Sequence, residues 1–415
     1  MIFFFYQFVI FILLLLSPII FLIRVIKKKE DLSRILEKLS IPSKNRYKGK
    51  LIWFHAASVG ELMSIVPLIK SLELNKEIKT ILITTSTLSS AKIFKKLNLK
   101  KSIHQFFPID FLYFNNRFLN YWKPEIAIFI DSEIWPSTFS VIKKKSIKLL
   151  LLNARITNKS FNRWNKIRHF AEKIFSKIDI AYPQNNETKK FLKKLNVNKL
   201  KELGNLKFTE IENKKNIQFQ KKFISQIQNK LIFCAASTHP NEEILIAKVH
   251  KSLKKRIDNL LTIIIPRHIN RSSSIKKELV KLQLNSIIKS SKEKILDNTD
   301  IFIVDSYGET KKFFNISDIV FMGGSIVKHG GQNPIEPARF GLNIIHGPNI
   351  SNFKDIYDFF AAKGIAFKIY NKNQLIKITS KLLSKKNRNS LNLKKIGNII
   401  LENTLKELNY EIEKA

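Results

Sequence analysis

A chain of 415 residues is longer than one ordinary hydrophobic core supports, so two domains are expected. Hydrophobic residues make up 44% of it, which excludes a disordered chain, and a single cysteine, Cys234, excludes an intramolecular disulfide. The formal net charge of +40 is compatible with binding to nucleic acid, to anionic lipid or to an acidic substrate, and equally with a composition that is basic throughout.

The N-terminal segment, residues 2–23, is almost entirely apolar and is about long enough to span the hydrocarbon core of a membrane. Its polar positions are Tyr6, Gln7 and Ser17. Basic residues at 24–29 follow directly, and such positive flanks stay on the cytoplasmic side. We therefore expect one membrane anchor over residues 1–26, with the rest of the chain in the cytoplasm. Because Pro18 interrupts the segment, a helix that lies in the membrane interface is the alternative.

Short apolar runs then alternate with helix-like segments. Strands are predicted over residues 51–57, 80–85, 126–130 and 148–153 in the first half, and over 231–236, 261–265, 301–304, 318–321 and 343–345 in the second. Helices are predicted over residues 61–72 and 89–96, and a polar segment at 208–230 separates the halves, with a junction between 205 and 215. This alternation indicates two parallel, doubly wound α/β sheets, with ligands expected at the carboxyl ends of the strands.

Two acidic motifs follow strands of the first half. Glu61 lies in the first turn of the helix after the strand at 51–57, where it is a candidate base or only a residue that stabilises the helix start. Asp131 and Glu133 follow the strand at 126–130 and precede Trp135. A helix cap with a packed tryptophan explains that second motif equally well.

Two motifs in the second half suit an anionic ligand. Arg267 and His268 follow the strand at 261–265, where a guanidinium group can bind phosphate through two hydrogen bonds, although a surface loop of a basic protein would look the same. Four of the twelve glycines lie within residues 323–331, and backbone N–H groups of such a loop can approach phosphate oxygens closely.

A helix start is predicted directly after the glycines. Asn333 as N-cap, Pro334 at the first helical position and Glu336 at the third resemble a capping box. Glu336 is therefore either a cap or a ligand-binding residue.

Taken together, these motifs resemble the bacterial 3-deoxy-D-manno-octulosonic acid (Kdo) transferases of lipopolysaccharide synthesis. The matching stretches are residues 55–61, 132–136, 152–155, 204–208, 235–239, 266–268, 308–309, 323–325 and 330–337. The resemblance implies a GT-B fold, in which two Rossmann-like domains face a central cleft behind an N-terminal anchor helix. We assign the domains to residues 27–207 and 208–415.

The same resemblance implies an inverting transfer of Kdo from CMP-Kdo to the lipid A precursor (lipid IVA), with no metal or other cofactor. The expected place is the cytoplasmic face of a bacterial inner membrane, with anionic lipid and not nucleic acid as a further partner. Glu61 would be the general base, and Glu133 and Lys207 would stabilise the transition state. The implied CMP-binding residues are Arg267, His268, Tyr307, Gly308, Glu309, Asn333, Pro334, Ile335 and Glu336, and the implied phosphate loop is Gly323, Gly324, Ser325, Gly330 and Gly331.

Three positions depart from the family pattern: Asp131 replaces a usual glutamate, Ser137 an asparagine and Tyr307 a methionine. The departure at Asp131 leaves the acceptor geometry open. Two other functions are compatible with the sequence. One is a GT-B transferase that uses a UDP-sugar and another lipid, and the other is a membrane-tethered nucleic-acid-binding protein, for which no zinc finger, RNA-binding strand motif or basic heptad helix is present.

Overall fold

The computed structural model describes residues 1–210, 217–385, 388–389 and 391–415. The chain falls into two compact units, Met1–Ile211 with Lys394–Ala415, and Glu212–Leu393. This division differs from the predicted one at its end, because the last segment belongs to the first unit and not to a C-terminal domain over 208–415. Residues 211–215 of the predicted junction lie outside the described residues.

The first unit is built on a six-stranded parallel sheet with the order β3-β2-β1-β4-β5-β6. Its strands are β1 (Lys50–His55), β2 (Ile78–Thr85), β3 (Ser102–Phe106), β4 (Ile126–Ile130), β5 (Lys148–Ala154) and β6 (Ile180–Pro183). Leu51 and Trp53 of β1 belong to one apolar cluster, and the alternate residues Ile52 and Phe54 belong to another. The sheet is thus buried on both faces, which explains its continuous apolar runs.

Helices precede and follow these strands along the chain. They are α1 (Ile2–Leu15), α2 (Ser17–Ile26), α3 (Val59–Leu72), α4 (Leu88–Lys95), α5 (Leu112–Trp122), α6 (Pro136–Lys144), α7 (Asn158–Asn165), α8 (Arg168–Phe175) and α9 (Asn186–Lys194). Two 3-10 segments, Leu32–Leu39 and Leu206–Phe208, complete this part of the chain.

The predicted single helix over residues 2–23 is two helices that meet at Leu16. Pro18 lies in the first turn of α2, where its missing N–H group is tolerated. Among the described residues no single helix is long and apolar enough to cross a membrane, whereas α1 and α2, bent by 55°, pass that test as a pair.

The second unit is built on a seven-stranded parallel sheet with the order β13-β12-β11-β7-β8-β10-β9. Its strands are β7 (Leu231–Thr238), β8 (Leu260–Pro266), β9 (Ser286–Ile288), β10 (Ile301–Ile303), β11 (Ile319–Met322), β12 (Asn343–His346) and β13 (Ala366–Lys368). Its helices are α10 (Lys221–Ile227), α11 (Glu242–Lys254), α12 (Ser272–Lys281), α13 (Thr310–Ile316), α14 (Ile335–Arg339), α15 (Lys354–Ala362) and α16 (Lys372–Lys385).

The last helix, α17 (Leu393–Glu413), packs on the first unit. Leu408 and Ile412 join the apolar cluster that contains Ile52. Lys148 forms an ion pair with Glu411 at 2.5 Å. Apolar burial and this ion pair explain why the end of the chain belongs to the first unit.

In each sheet the chain builds strands first on one side of the first strand and then on its other side. In the first sheet the switch point between the two sides lies between β1 and β4, and in the second it lies between β7 and β11. Loops at the carboxyl ends of strands diverge at a switch point and leave room for a ligand. The acidic motifs of the first half and the glycine-rich motif of the second follow strands at these two points.

Candidate active site

Glu61 forms a capping box at the start of α3. The Ser58 hydroxyl oxygen accepts the N–H of Glu61 at 3.3 Å, and the Glu61 carboxylate accepts the Ala57 N–H at 2.7 Å and the Ser58 hydroxyl at 2.9 Å. The helix-stabilising role that the sequence left open is therefore present. It does not exclude the second role, because the carboxylate is only partly buried.

The surroundings of Glu61 raise the pKa of its carboxyl group towards neutral pH. Burial, followed by the negative charges of Glu133 and Asp131, raises the pKa of Glu61 to about 7, against the opposing hydrogen bonds from Ser58 and Ala57. A general base works best when its pKa lies near the operating pH. The helix start alone would instead lower the pKa, so the burial decides the outcome.

Glu133 ends a chain of hydrogen-bonding side chains that begins in the core. Its carboxylate accepts the indole N–H of Trp135 at 2.9 Å and lies 3.3 Å from Nε2 of His55. The other ring nitrogen of His55 lies 3.0 Å from the hydroxyl of Thr84, which accepts the indole N–H of Trp53 at 2.9 Å.

His55 is fully buried, and burial lowers its pKa although Glu133 opposes the change. The imidazole is therefore neutral and carries one proton. Both possible acceptors of that proton can only accept: the Glu133 carboxylate at Nε2, and the Thr84 backbone carbonyl oxygen, 3.2 Å from Nδ1. We assign the proton to Nε2 because the carboxylate is the stronger acceptor, and Nδ1 then accepts from the Thr84 hydroxyl. This chain fixes the orientation of the Glu133 carboxylate.

Asp131 and Lys207 complete the charged cluster. Asp131 has a φ of 61°, a left-handed conformation that is rare for residues with a side chain and is concentrated at functional sites. Burial raises the pKa of Asp131 against the positive charges of Lys207 and Arg155. Burial lowers the pKa of Lys207, whereas Asp131 and Glu61 oppose that change. The structure thus brings together Glu61, Glu133 and Lys207, which belong to separate motifs of the sequence.

Two asparagines hold the short turn that carries Lys207. The Asn153 side chain, at the end of β5, accepts the N–H of Leu206 at 3.0 Å, and the Asn205 side chain accepts the N–H of Lys207 at 3.0 Å. Asn153 also has a positive φ of 52°. Both asparagines lie within the motifs that resemble the family, and no role was predicted for them.

The backbone N–H groups of the predicted phosphate loop bind a carboxylate of the protein itself. The N–H groups of Gly324, Ser325 and Ile326 donate to the carboxylate of Glu242 at 2.7, 3.1 and 3.0 Å, and the N–H of His239 donates to it at 3.0 Å. These N–H groups are already satisfied within the protein, so they are not free to donate to a phosphate, and a phosphate site at Gly324 and Ser325 stays a prediction. The fully buried Glu242 instead fixes the shape of the loop.

Glycine is required in this loop for close packing. A Cβ atom at Gly323 would lie 2.4 Å from the carbonyl oxygen of Ser237, and one at Gly330 would lie 2.5 Å from the side chain of Asn352. Gly331 donates to the carbonyl of Gly324 at 2.8 Å and so joins the two glycine pairs.

The helix after these glycines begins later than predicted. Its first residue is Ile335 and its N-cap is Pro334, which makes no side-chain cap because it has no hydrogen-bonding side chain. Asn333 lies one position before the cap and accepts the N–H of Ile335 at 3.1 Å. Glu336 lies in the first turn of this five-residue helix.

The remaining predicted CMP-binding residues follow β8 and β10. Arg267 and His268 are exposed directly after β8, and Tyr307 is 70% exposed after β10. Gly308, with a φ of 80°, follows it.

Glu309 is held by Lys289 at 2.5 Å, by Lys312 at 3.4 Å and by the Ser306 hydroxyl. Burial acts to raise the pKa of Glu309, but Lys289 and Ser306 outweigh it and hold that pKa below its usual value. Glu309 is thus a charged carboxylate that organises its own loop.

Comparisons with known proteins identify relatives of this chain. A family model described as 3-deoxy-D-manno-octulosonic-acid transferase matches residues 33–210. A 3-deoxy-D-manno-octulosonic acid transferase of Rickettsia bellii is 36% identical over 93% of this chain and 92% of its own length. One of Haemophilus influenzae is 32% identical over 74% of this chain and 72% of its own length.

Solved structures support the fold. A putative UDP-N-acetylglucosamine 2-epimerase of Listeria monocytogenes superposes with a TM-score of 0.60 at 11% identity, covering 89% of this chain and 98% of its own. At that identity the similarity concerns the fold alone, and it agrees with the GT-B class of parallel α/β proteins. With the identities above, the chain belongs to the 3-deoxy-D-manno-octulosonic acid transferase family and is a glycosyltransferase.

Proposed function

We propose that this enzyme transfers Kdo from CMP-Kdo to the lipid A precursor in lipopolysaccharide synthesis, with inversion at the anomeric carbon. The observation that carries the proposal is the Glu61 carboxyl, which has a pKa of about 7 at the switch point of the first sheet. The names of the relatives support Kdo as the transferred sugar.

The proposed step is a single displacement. A sugar hydroxyl of the acceptor forms the new bond to the anomeric carbon, and its proton passes to Glu61. The bond from that carbon to the phosphate oxygen breaks, and CMP leaves with the electron pair. Arg267 and His268 stabilise the negative charge on CMP, whereas Glu133 and Lys207 stabilise the charges that develop at the reacting sugar.

We further propose that α1 and α2 attach the enzyme to the cytoplasmic side of a bacterial inner membrane. Large apolar side chains of these helices are exposed, among them Phe4 at 77% and Ile26 at 72%, and the basic residues at 24–29 suit anionic headgroups. Tyr6 donates to Asp110 at 2.7 Å and Gln7 donates to Ser137 at 2.6 Å, which supports a helix pair held against the first unit in the interface. Alkaline carbonate extraction would release an interfacial pair and would retain a spanning one.

The direct test is incubation of the full-length enzyme with CMP-Kdo and tetra-acylated lipid A precursor, with the products analysed by mass spectrometry. We expect a product heavier than the acceptor by one or more Kdo residues. Thermal shifts with CMP, UMP and UDP provide the donor control. A larger stabilisation by UDP than by CMP, together with no Kdo product, would favour a UDP-sugar transferase and refute the proposal.

A further inference from the structure

Three imidazole rings gather at the switch point of the second sheet. His239 follows β7, and its ring centroid lies 4.1 Å from that of His329 and 6.3 Å from that of His268. His239 is 4% exposed, whereas the other two rings are exposed. His268 was predicted to bind CMP, but His239 and His329 have no assigned role.

His239 presents a buried nitrogen without a partner. Within the part of the chain that the structure describes, its Nε2 atom is buried and makes no hydrogen bond. This atom faces the glycine loop, since a Cβ atom at Gly324 would lie 3.3 Å from it. Gly324 has a φ of 67°, so a side chain there would also be strained. A buried polar nitrogen is costly unless a ligand or another group satisfies it.

The surroundings of Nε2 suit an anion. Burial, followed by the positive charges of His329, His268, Arg267 and Arg271, lowers the pKa of His239 to about 4. His239 is therefore a neutral hydrogen-bonding group in a positive environment. Arg271 is already paired with Glu243 at 2.8 Å. The Arg267 side chain is exposed. The described residues contain no group of three or more His, Cys, Asp or Glu side chains placed to hold a metal ion.

Glu242 does not oppose an anion at this position as a free carboxylate would. Its two oxygens already accept the four backbone N–H groups described above, which compensate its charge locally. The glycine loop therefore brings its backbone close to His239 without directing its own N–H groups at a ligand.

We propose that Nε2 of His239, with His329 beside it, binds the carboxylate of the donor sugar acid. This inference rests on the proposed function, because Kdo bears a carboxylate on the same anomeric carbon that is bonded to the phosphate. Two neighbouring anion sites are then needed, and the exposed Arg267 and His268 suit the phosphate. The buried imidazole suits the carboxylate. It selects a sugar acid over a neutral sugar, because a neutral sugar has no carboxylate to accept a hydrogen bond from Nε2.

The test compares His239→Leu with His239→Gln in the full-length enzyme, since the Gln amide can donate from a similar position. Dissociation constants for CMP and CMP-Kdo and the KM for CMP-Kdo are measured. We expect His239→Leu to weaken CMP-Kdo binding by about 10- to 100-fold and to leave CMP binding within about 2-fold. His239→Gln should recover part of the loss. His169→Leu, the same change at an exposed histidine of α8, is the control.

Several outcomes would overturn the inference. Equal weakening of CMP and CMP-Kdo by His239→Leu assigns the nitrogen to the phosphate, and unchanged binding of both assigns it to neither. If His239→Leu fails to fold, as judged by circular dichroism, the exposed His329→Leu variant must show the same selective loss, at a smaller size of about 3-fold. A wild-type enzyme that neither binds CMP-Kdo nor transfers Kdo refutes the proposed function itself, whereas an active wild type with an unaffected His239→Leu variant refutes only this inference.

Discussion

The two units place a glutamate at the same topological position and use it differently. Glu61 and Glu242 each lie in the first turn of the helix that follows the first strand of their sheet. Glu242 is fully buried and accepts four backbone N–H groups. Glu61 accepts one backbone N–H and one hydroxyl and lies beside Glu133 and Asp131.

This comparison shows that the number of donors acts together with burial and neighbouring charges to separate the two roles. Four N–H groups fully satisfy a carboxylate, which then holds the surrounding backbone in place. Two donors, in a partly buried place with like charges nearby, leave a carboxylate that readily takes up a proton. The same fold position therefore yields a structural anion in one unit and a candidate base in the other.

The largest expected effect is on turnover after Glu61→Gln. The amide keeps an acceptor for the capping box but cannot take a proton, so kcat should fall by about 100- to 10,000-fold. CMP binding should change little. The exposed Glu77→Gln variant is the matched control. Turnover near the wild-type rate in Glu61→Gln would remove Glu61 from the role of base.

The second expected effect is on stability after Glu242→Gln. The amide NH₂ would face backbone N–H groups that the carboxylate oxygen now accepts, so the free energy of unfolding of the second unit should fall by about 2–5 kcal/mol. Chemical denaturation followed by circular dichroism measures it. The half-exposed Glu293→Gln should have almost no effect. A Glu242→Gln variant as stable as the wild type would show that the two glutamates are not as different as their contacts indicate.

The pH dependence sharpens the comparison further. Glu61 must be deprotonated to act as a base, so the transfer rate should rise with pH through a value near 7. The Glu133→Gln substitution removes a negative charge and so lowers the pKa of Glu61. The rise of the transfer rate with pH should therefore occur at lower pH in this variant, whatever its maximal rate. If the pH dependence of the Glu133→Gln variant did not move, the charge of Glu133 would not contribute to the pKa of Glu61.

The same pKa shift has a consequence for stability. A raised pKa means that the folded state binds the Glu61 proton more tightly than the unfolded state does. Stability from this group is therefore fully present below the unfolded pKa of about 4.5 and is lost as the pH rises towards 7. The unfolding temperature of Glu61→Gln, relative to the wild type, should accordingly rise over that range.

Much of the fold could be predicted because the inner strands are buried on both faces and read as apolar runs. All nine predicted strands are present. The four that were missed, β3, β6, β9 and β13, are the edges of the two sheets. Edge strands need fewer apolar residues, and here they are short or carry polar residues and a proline, as in Ser102–Phe106 and Ile180–Pro183.

The features that could not be predicted depend on contacts between distant residues. Glu61 and Glu242 look alike in the sequence, and the difference between them arises from loops more than 70 residues away, such as those at Glu133 and Gly324. The return of α17 to the first unit is of the same kind, because an amphipathic pattern does not identify the surface that the helix will cover.

The smallest effect that we predict concerns Thr84, which lies in the core two hydrogen bonds away from Glu133. Thr84→Val removes the hydroxyl that donates to Nδ1 of His55, so the proton of the imidazole is no longer fixed on Nε2 and the Glu133 carboxylate loses its orientation. We expect kcat to fall roughly 10-fold, with the KM for the donor unchanged. Thr84→Ser keeps the hydroxyl and should restore most of the rate, which separates lost positioning from altered core packing. If Thr84→Ser were as slow as Thr84→Val, the loss would come from packing around β2, and the first unit would hold Glu133 through Trp135 alone.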